Sequence, residues 1–265
     1  MREIPVRVLI DTDPVFTQVR HLNDPAARAQ AMQHTAFCSY GENIGRSGCS
    51  IPSDGFPWFP TRQPIVLDAW RPTPGRGDDP LSTIMLWDAY RPVEHNGTRF
   101  GTKADSFGPY LDLPQRSGER FRLALGARGS VQQELAAHGW TIPWSYRDFI
   151  RGSKAEFSVA KHGYVVSQSG WFSERSAGYL ASGRPVVVQD TGFSRWLDGD
   201  GGVLAFGDVN EALAQLKALN RSYDRHCADA RRVAEQYFES SHVLTRLIDD
   251  AMMASDAAPG FGRSS

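Results

Sequence analysis

The sequence predicts an α/β protein containing a doubly wound parallel sheet, and three observations carry that expectation. Short apolar runs recur at residues 6–10, 82–87, 121–125, 185–188 and 203–206, with the length and boundaries of strands buried in such a sheet. Between and after them stand helical patterns, such as Val209, Leu213, Leu216 and Leu219 on one face. Residues 151–192 then place strand, small-residue loop, helix and strand in succession, a βαβ unit.

In that unit the first strand is expected over 157–166, interrupted by Lys161 and His162, and the second over 185–188. The helix between them is well marked. Ser173 suits the N-cap, Glu174 the first turn and Gly183 the position just past the C-terminus. Its N-terminus points back at the loop Ser167-Gln168-Ser169-Gly170, where free N–H groups and small residues offer an anion site of the kind a nucleotide diphosphate would use. An ordinary βα turn without a ligand fits the same features.

The run SGWFSERSAGYLASGRPVVVQDTG, residues 169–192, resembles the donor-binding segment of GT-B glycosyltransferases, in particular group 1-like bacterial ones. The likeness continues through GDGGVLAFGDVNEALAQL, residues 199–216. It implies a GT-B-like α/β fold of two Rossmann-like domains and a nucleotide-diphosphate sugar as donor substrate, with no further cofactor and no metal. Carried over, it sets Ser169, Gly170, Glu174, Arg175 and Ser176 toward ribose and diphosphate, and Gln189, Asp190, Thr191 and Gly192 toward the hexose. Glu174 and Asp190 become the candidate catalytic acids, Asp190 the first choice to position sugar hydroxyls. Lys103, in the loop after the first strand of the domain, is the candidate basic residue toward the diphosphate; a solvated lysine on a hairpin is the plainer reading. Glu156, just before the central strand, and Lys161, which interrupts it with His162, are further candidates for donor contact; Lys161 or His162 would reach the donor from the sheet edge, or the segment is a loop with its strand moved toward 164–166. One departure stands out: the glutamate that retaining members place five residues before the helix-ending glycine is Gly178 here. Glu174 lies one turn earlier on the same face, either replacing it or simply favouring the helix N-terminus.

Composition sets the remaining bounds. The chain has 265 residues, 41% hydrophobic and 22% charged, with a net charge of -1, which gives no electrostatic reason to expect nucleic acid or an acidic membrane. Cys38, Cys49 and Cys227 lack metal-ligand spacing and leave one unpaired, favouring a reduced, cytoplasmic setting. No run approaches the length of a membrane span.

In chain order, the first strand ends at Asp11-Thr12-Asp13-Pro14, a place for a ligand-facing loop. Two acids there invite a metal reading, but fall short of the ligands a hard cation needs. Residues 24–33 are helical, and 41–64 form a long loop rich in glycine and proline whose Phe56, Trp58 and Phe59 either pack as an anchor or line an acceptor cleft. A strand follows at 65–67. The expected organisation is a partial N-terminal domain over 1–72, a linker over 73–80, a complete nucleotide-sugar-binding domain over 81–240, and a closing helix with a flexible tail over 241–265. Helices are expected at 131–138 and 146–152, and residues 244–253 are expected to pack back on the first domain. The first portion carries too few strands for a complete domain, so the chain resembles a glycosyltransferase lacking its first hundred or so residues, the acceptor site and usual catalytic histidine among them. His21 and His34 remain as possible bases. A nucleotide-sugar epimerase or phosphorylase, or a non-catalytic donor-binding module, would carry the same donor signature.

Overall fold

The computed structural model describes residues 4–86, 91–126, 146–198 and 201–257. The helix expected at 131–138, Trp87 and the tail at 258–265 lie outside them.

The first sheet has three parallel strands: β1 (Val8–Asp11), β2 (Ala36–Ser39) and β3 (Trp58–Pro60), with β2 in the middle. Two helices, α1 (Phe16–Asn23) and α2 (Pro25–Ala31), join β1 to β2. Asp24 ends one and starts the other: its Oδ1 accepts from the amides of Ala26 (2.9 Å) and Ala27 (3.2 Å), with Pro25 in the first turn, where its missing N–H costs nothing. β3 falls inside the stretch expected to be irregular. The strand expected at 65–67 does not form; Ile65 makes a single bridge to Glu239, and Leu67–Trp70 is a 3-10 turn. Its apolar side chains are used against the second sheet's helices, not in a ladder.

The second sheet opens with β4 (Leu81–Leu86). A hairpin follows, β5 (Val93–His95) and β6 (Thr98–Phe100), turned by Asn96 and Gly97 at positive φ (49° and 75°), as a two-residue hairpin loop demands. Next come α3 (Lys103–Phe107), α4 (Leu113–Ser117), β7 (Phe121–Gly126), α5 (Tyr146–Arg151) and β8 (Glu156–Ser158). The chain continues through α6 (His162–Ser167), α7 (Glu174–Ala181), β9 (Val186–Gln189), β10 (Val203–Phe206), α8 (Val209–Arg221), α9 (Tyr223–Tyr237) and α10 (Ser240–Ala257). The strand order is β10-β9-β8-β4-β7, all parallel. Helices cover both faces. Val187, Leu204 and Phe206 pack toward α8, whereas Val186 and Val188 pack toward α7 and α9, which is why β9 reads as an unbroken apolar run.

The central unit differs from expectation at its first strand. β8 stops at Ser158, and the residues expected to extend it form α6. A parallel strand covered on both faces has no place for Lys161 and His162; a helix turns Tyr164 and Ser167 inward and leaves Lys161 at its start, facing a cleft. Gln168, left-handed at φ 50°, ends it.

α10 crosses back onto β2 with Val243 and Ala251 buried, while Leu244, Ile248, Met252 and Met253 are exposed. The long loop ties the two sheets together. Asn43 Nδ2 donates to the carbonyls of Gln168 (3.0 Å) and Gly192 (2.9 Å), and its amide donates to Ser169 O (3.0 Å). Nearby, Ser50 N reaches Ser167 O (2.9 Å) and Gln63 Nε2 reaches Phe172 O (2.5 Å). Phe56 and Trp58 pack against Phe37 and His21, the anchoring alternative for those aromatics.

Candidate functional site

In parallel sheets, ligands gather beyond the C-terminal ends of the strands, because the connecting loops open there. Both sheets turn such an end toward the same cleft of about 370 Å³. Thr12 and Asp13 reach it just after β1, Tyr40 after β2 and Leu86 at the end of β4. Lys161, Tyr164, Trp171, Glu174 and Arg175 come from the loops and helices after β8, and Lys103 from the start of α3.

The N-terminal wall is held by an internal network. The Asp11 carboxylate, 2% exposed, accepts from Thr17 Oγ1 (2.6 Å), Ser39 Oγ (2.8 Å), Gln18 Nε2 (2.9 Å) and the Asp13 amide (2.9 Å). Burial nevertheless raises its pKa, the hydrogen bonds offsetting this only in part. Asp11 therefore shapes the turn, and Asp13 is the acid that enters the cleft. Asp13 accepts from Lys161 Nζ at 2.8 and 3.0 Å and from the Tyr164 hydroxyl. Trp171 stacks on Tyr164 with centroids 4.4 Å apart and donates to Thr12 O (3.2 Å). With one acid spent on the turn and the other on a lysine, the Asp-Thr-Asp triplet does not present two carboxylates to one cation.

The C-terminal wall is built on the start of α7. Ser173 caps the helix, its Oγ accepting from the Arg175 amide (3.2 Å). Glu174 is exposed in the cleft, and its carboxylate lies 3.7 Å from the Arg175 guanidinium. Behind them sits a group of charges short of partners. Lys103 is 6% exposed and its Nζ has no hydrogen-bond acceptor among the described residues, nor has Arg175 Nε. Burial, and then the Arg175 charge, push the Lys103 ammonium down to about 7, against the pull of Glu156. Glu156 is fully buried and its carboxylate has no hydrogen-bond partner of normal geometry among the described residues, although the Ser176 hydroxyl is near enough to favour its charged form. Burial raises its pKa, with Arg175 the main opposing influence.

Of the residues expected to touch a donor, Lys103, Lys161, Glu174 and Arg175 come together in the cleft, with Glu156 and Ser176 beneath them. The others are committed elsewhere. Ser169 is fully buried and accepts from the Trp171 amide (3.2 Å). Gly170 and Gly192, at φ 74° and 90°, press against Asn43. Gln189 Oε1 accepts from the Ala160 amide (3.1 Å), and the Thr191 hydroxyl donates to Trp171 O (2.5 Å). Asp190 is bound into the following turn, accepting from Gly192 N (2.8 Å) and Ser194 Oγ (2.6 Å), and it does not line the cleft. The loop after β9 thus builds the junction with the long N-terminal loop. Gly178 faces the Trp70 ring, 3.4 Å from where a Cβ would stand, so tryptophan occupies the side of the helix where the resemblance expects an acid.

His21 Nδ1 pairs with the buried carboxylate of Asp54 at 2.7 Å, and Asp54 also accepts from Trp58 Nε1 (2.9 Å). His21 and His34 line a second cavity, behind β1, which shares Thr12 with the cleft. Tyr40, Tyr164 and Trp171 went unforeseen; each is an aromatic next to a strand or helix end, with no local pattern separating it from core.

No family model matches the sequence, and no curated protein does. Solved structures match the fold. An α-glucosyltransferase solved with UDP and a 13-mer DNA containing an HMU base superposes with a TM-score of 0.59 at 12% identity, covering 94% of this chain and 73% of that one. HepE of Anabaena, solved with UDP-glucose, gives 0.58 at 10%, covering 93% and 72%. Sucrose-phosphate synthase of Thermosynechococcus elongatus gives 0.56 at 10%, covering 95% and 68%. The chain therefore has the GT-B-like α/β fold that residues 169–192 resemble.

Proposed function

We propose that the cleft receives the diphosphate of a nucleotide sugar and that the chain is a glycosyltransferase passing the sugar to an acceptor. The observation that carries this is the pair of buried cationic atoms, Lys103 Nζ and Arg175 Nε, left without acceptors among the described residues beside the capped N-terminus of α7. Unpartnered buried donors are costly and rare, so their convergence on an open cleft calls for an anion. The fold's likeness to structures solved with UDP or UDP-glucose supports the same reading. Breaking the bond between the anomeric carbon and the diphosphate leaves negative charge on the leaving oxygen. Lys103, Arg175 and the first amides of α7 stabilise that charge in a site already partly desolvated. Glu174, exposed at the same helix start, orients ribose or sugar hydroxyls. The acceptor enters from the wall of Thr12, Asp13 and Tyr40. The three free cysteines suit a reduced, cytoplasmic setting.

Thermal shift with UDP-, GDP- and TDP-sugars tests the pocket, since a ligand bound to the folded state alone raises the melting temperature. Arg175→Ala is expected to abolish the shift. A protein indifferent to all three nucleotides would end this reading, and release of nucleoside diphosphate only when an acceptor is added separates transfer from binding.

A further inference from the structure

Lys103 is an unusual phosphate ligand. It is the first residue of α3, a position where helix polarity disfavours a cation, and its stem lies buried in the cleft wall. The charged groups around it are divided in sign. Arg175 and Glu174 face it from α7, Glu156 from β8, and Lys161 from the turn before α6. Lys161 is itself held by Asp13 from beyond β1. His162 accepts the Gly101 amide at 3.2 Å, and Asp105 is bound to Thr102 and Arg99. Tyr40 and Tyr146 have hydroxyls pushed up by burial and stay neutral. No carboxylate among the described residues hydrogen-bonds the Lys103 ammonium.

We propose, resting on the nucleotide-sugar reading of this cleft, that seating a diphosphate draws a proton onto Lys103, so that donor binding is coupled to proton uptake. The empty site holds this lysine poised between its neutral and charged forms near neutrality, because burial and Arg175 together outweigh Glu156. A diphosphate brings net negative charge within reach and reverses that balance. Glu156 responds in the same direction, since a neighbouring phosphate also favours its protonated form. The sign of the coupling is therefore the same whichever member of the pair carries the proton. Above about pH 7, where Lys103 of the empty protein is losing its charge, affinity falls up to about tenfold per pH unit; below that it levels off. Diphosphate release above neutrality returns the proton to solvent, so product leaves more readily as pH rises.

Isothermal titration of the full chain with UDP at pH 8, in two buffers of different ionisation enthalpy, measures the proton count directly. UDP itself is fully ionised there, so uptake reports the protein. The expected result is about 0.9 proton taken up per UDP bound, retained in Glu156→Gln and lost in Lys103→Arg, whose charge is permanent. Binding with no uptake would overturn the coupling and leave the pocket assignment standing. Uptake lost in Glu156→Gln and kept in Lys103→Arg would overturn the assignment to Lys103. Absence of any UDP, GDP or TDP binding would remove the coupling and the pocket together.

Discussion

Asn43 offers a sharp test of how the two sheets are joined. Its side chain is 1% exposed and donates to the carbonyls of Gln168 and Gly192, while its own Oδ1 has no partner among the described residues. Asn43→Ala loses two hydrogen bonds, each contributing about 1 kcal/mol net, and leaves the partly buried Gln168 carbonyl without this donor, while Gly192 O keeps the Arg195 amide at 3.3 Å; losing the unsatisfied Oδ1 returns part of the cost. The expected destabilisation is about 2 kcal/mol. Asn43→Asp keeps the shape but aims a carboxylate at two carbonyl oxygens. To donate even one bond it must be protonated, which costs about 4 kcal/mol at pH 7 from an ordinary pKa near 3.9. Asp should thus be worse than Ala at pH 7. Its cost should shrink by about 1.4 kcal/mol for each unit the pH is lowered toward 5, whereas the Ala cost stays level. Urea unfolding followed by tryptophan fluorescence reads both, because Trp196 Nε1 donates to Gly170 O within this junction. An Ala variant within about 0.5 kcal/mol of the parent protein, or an Asp variant whose cost ignores pH, would refute the argument that donors from Asn43 hold the junction.

Two further outcomes follow from buried cations. Arg184, 1% exposed, donates to Arg151 O (2.6 Å), Thr73 O (2.7 Å) and Pro74 O (3.3 Å), with no carboxylate within 4 Å among the described residues. It pins residues 73–74 onto the second sheet's unit. Arg184→Met is expected to cost about 3–5 kcal/mol in urea unfolding, and Arg184→Lys roughly half, because a single ammonium cannot reproduce the fork. Lys103→Met should lose the UDP-induced thermal shift yet unfold at higher urea than the parent protein, since it removes a buried charge with no acceptor among the described residues. The sign with pH follows from the lowered pKa. The folded parent binds fewer protons at Lys103 than the unfolded chain between about pH 7 and 10.5, so the parent gains stability as pH rises through that window. The advantage of Met is therefore largest at or below pH 7 and shrinks by up to about 1.4 kcal/mol per unit above it. An advantage that grows with pH would contradict the burial of Lys103.

Local signals were sufficient wherever one residue's chemistry decides the outcome. Ser173, Glu174 and Gly183 marked α7 because capping is settled within one helical turn. The unbroken apolar run at β9 marked a strand covered on both faces. Arg175, Lys103 and Lys161 were legible as cations near a helix start, and the cleft does bring them together. Local signals do not show which partner claims a residue when two distant segments compete for it. Ser169, Gly170, Thr191 and Gly192 are candidates for a ligand-facing set, and in the structure they also bond to Asn43, Tyr164, Trp171, Asp190 and one another. Asp190 was consumed by its own turn, a local bond that competes with any role at a distance.

The sequence by itself determined the parallel α/β class, the strands of the second sheet apart from the end of β8, the capped helix at 174 and the cations available to an anion, because periodicity, capping and charge act over a few residues. Only the tertiary structure decided which of those groups share a cleft. It turned residues 162–167 into a helix, spent Asp11 on a turn and Asp190 on another, and buried Lys103 between Arg175 and Glu156. Burial and electrostatic balance depend on segments far apart in the chain, and no window of sequence contains both sides of such a contact.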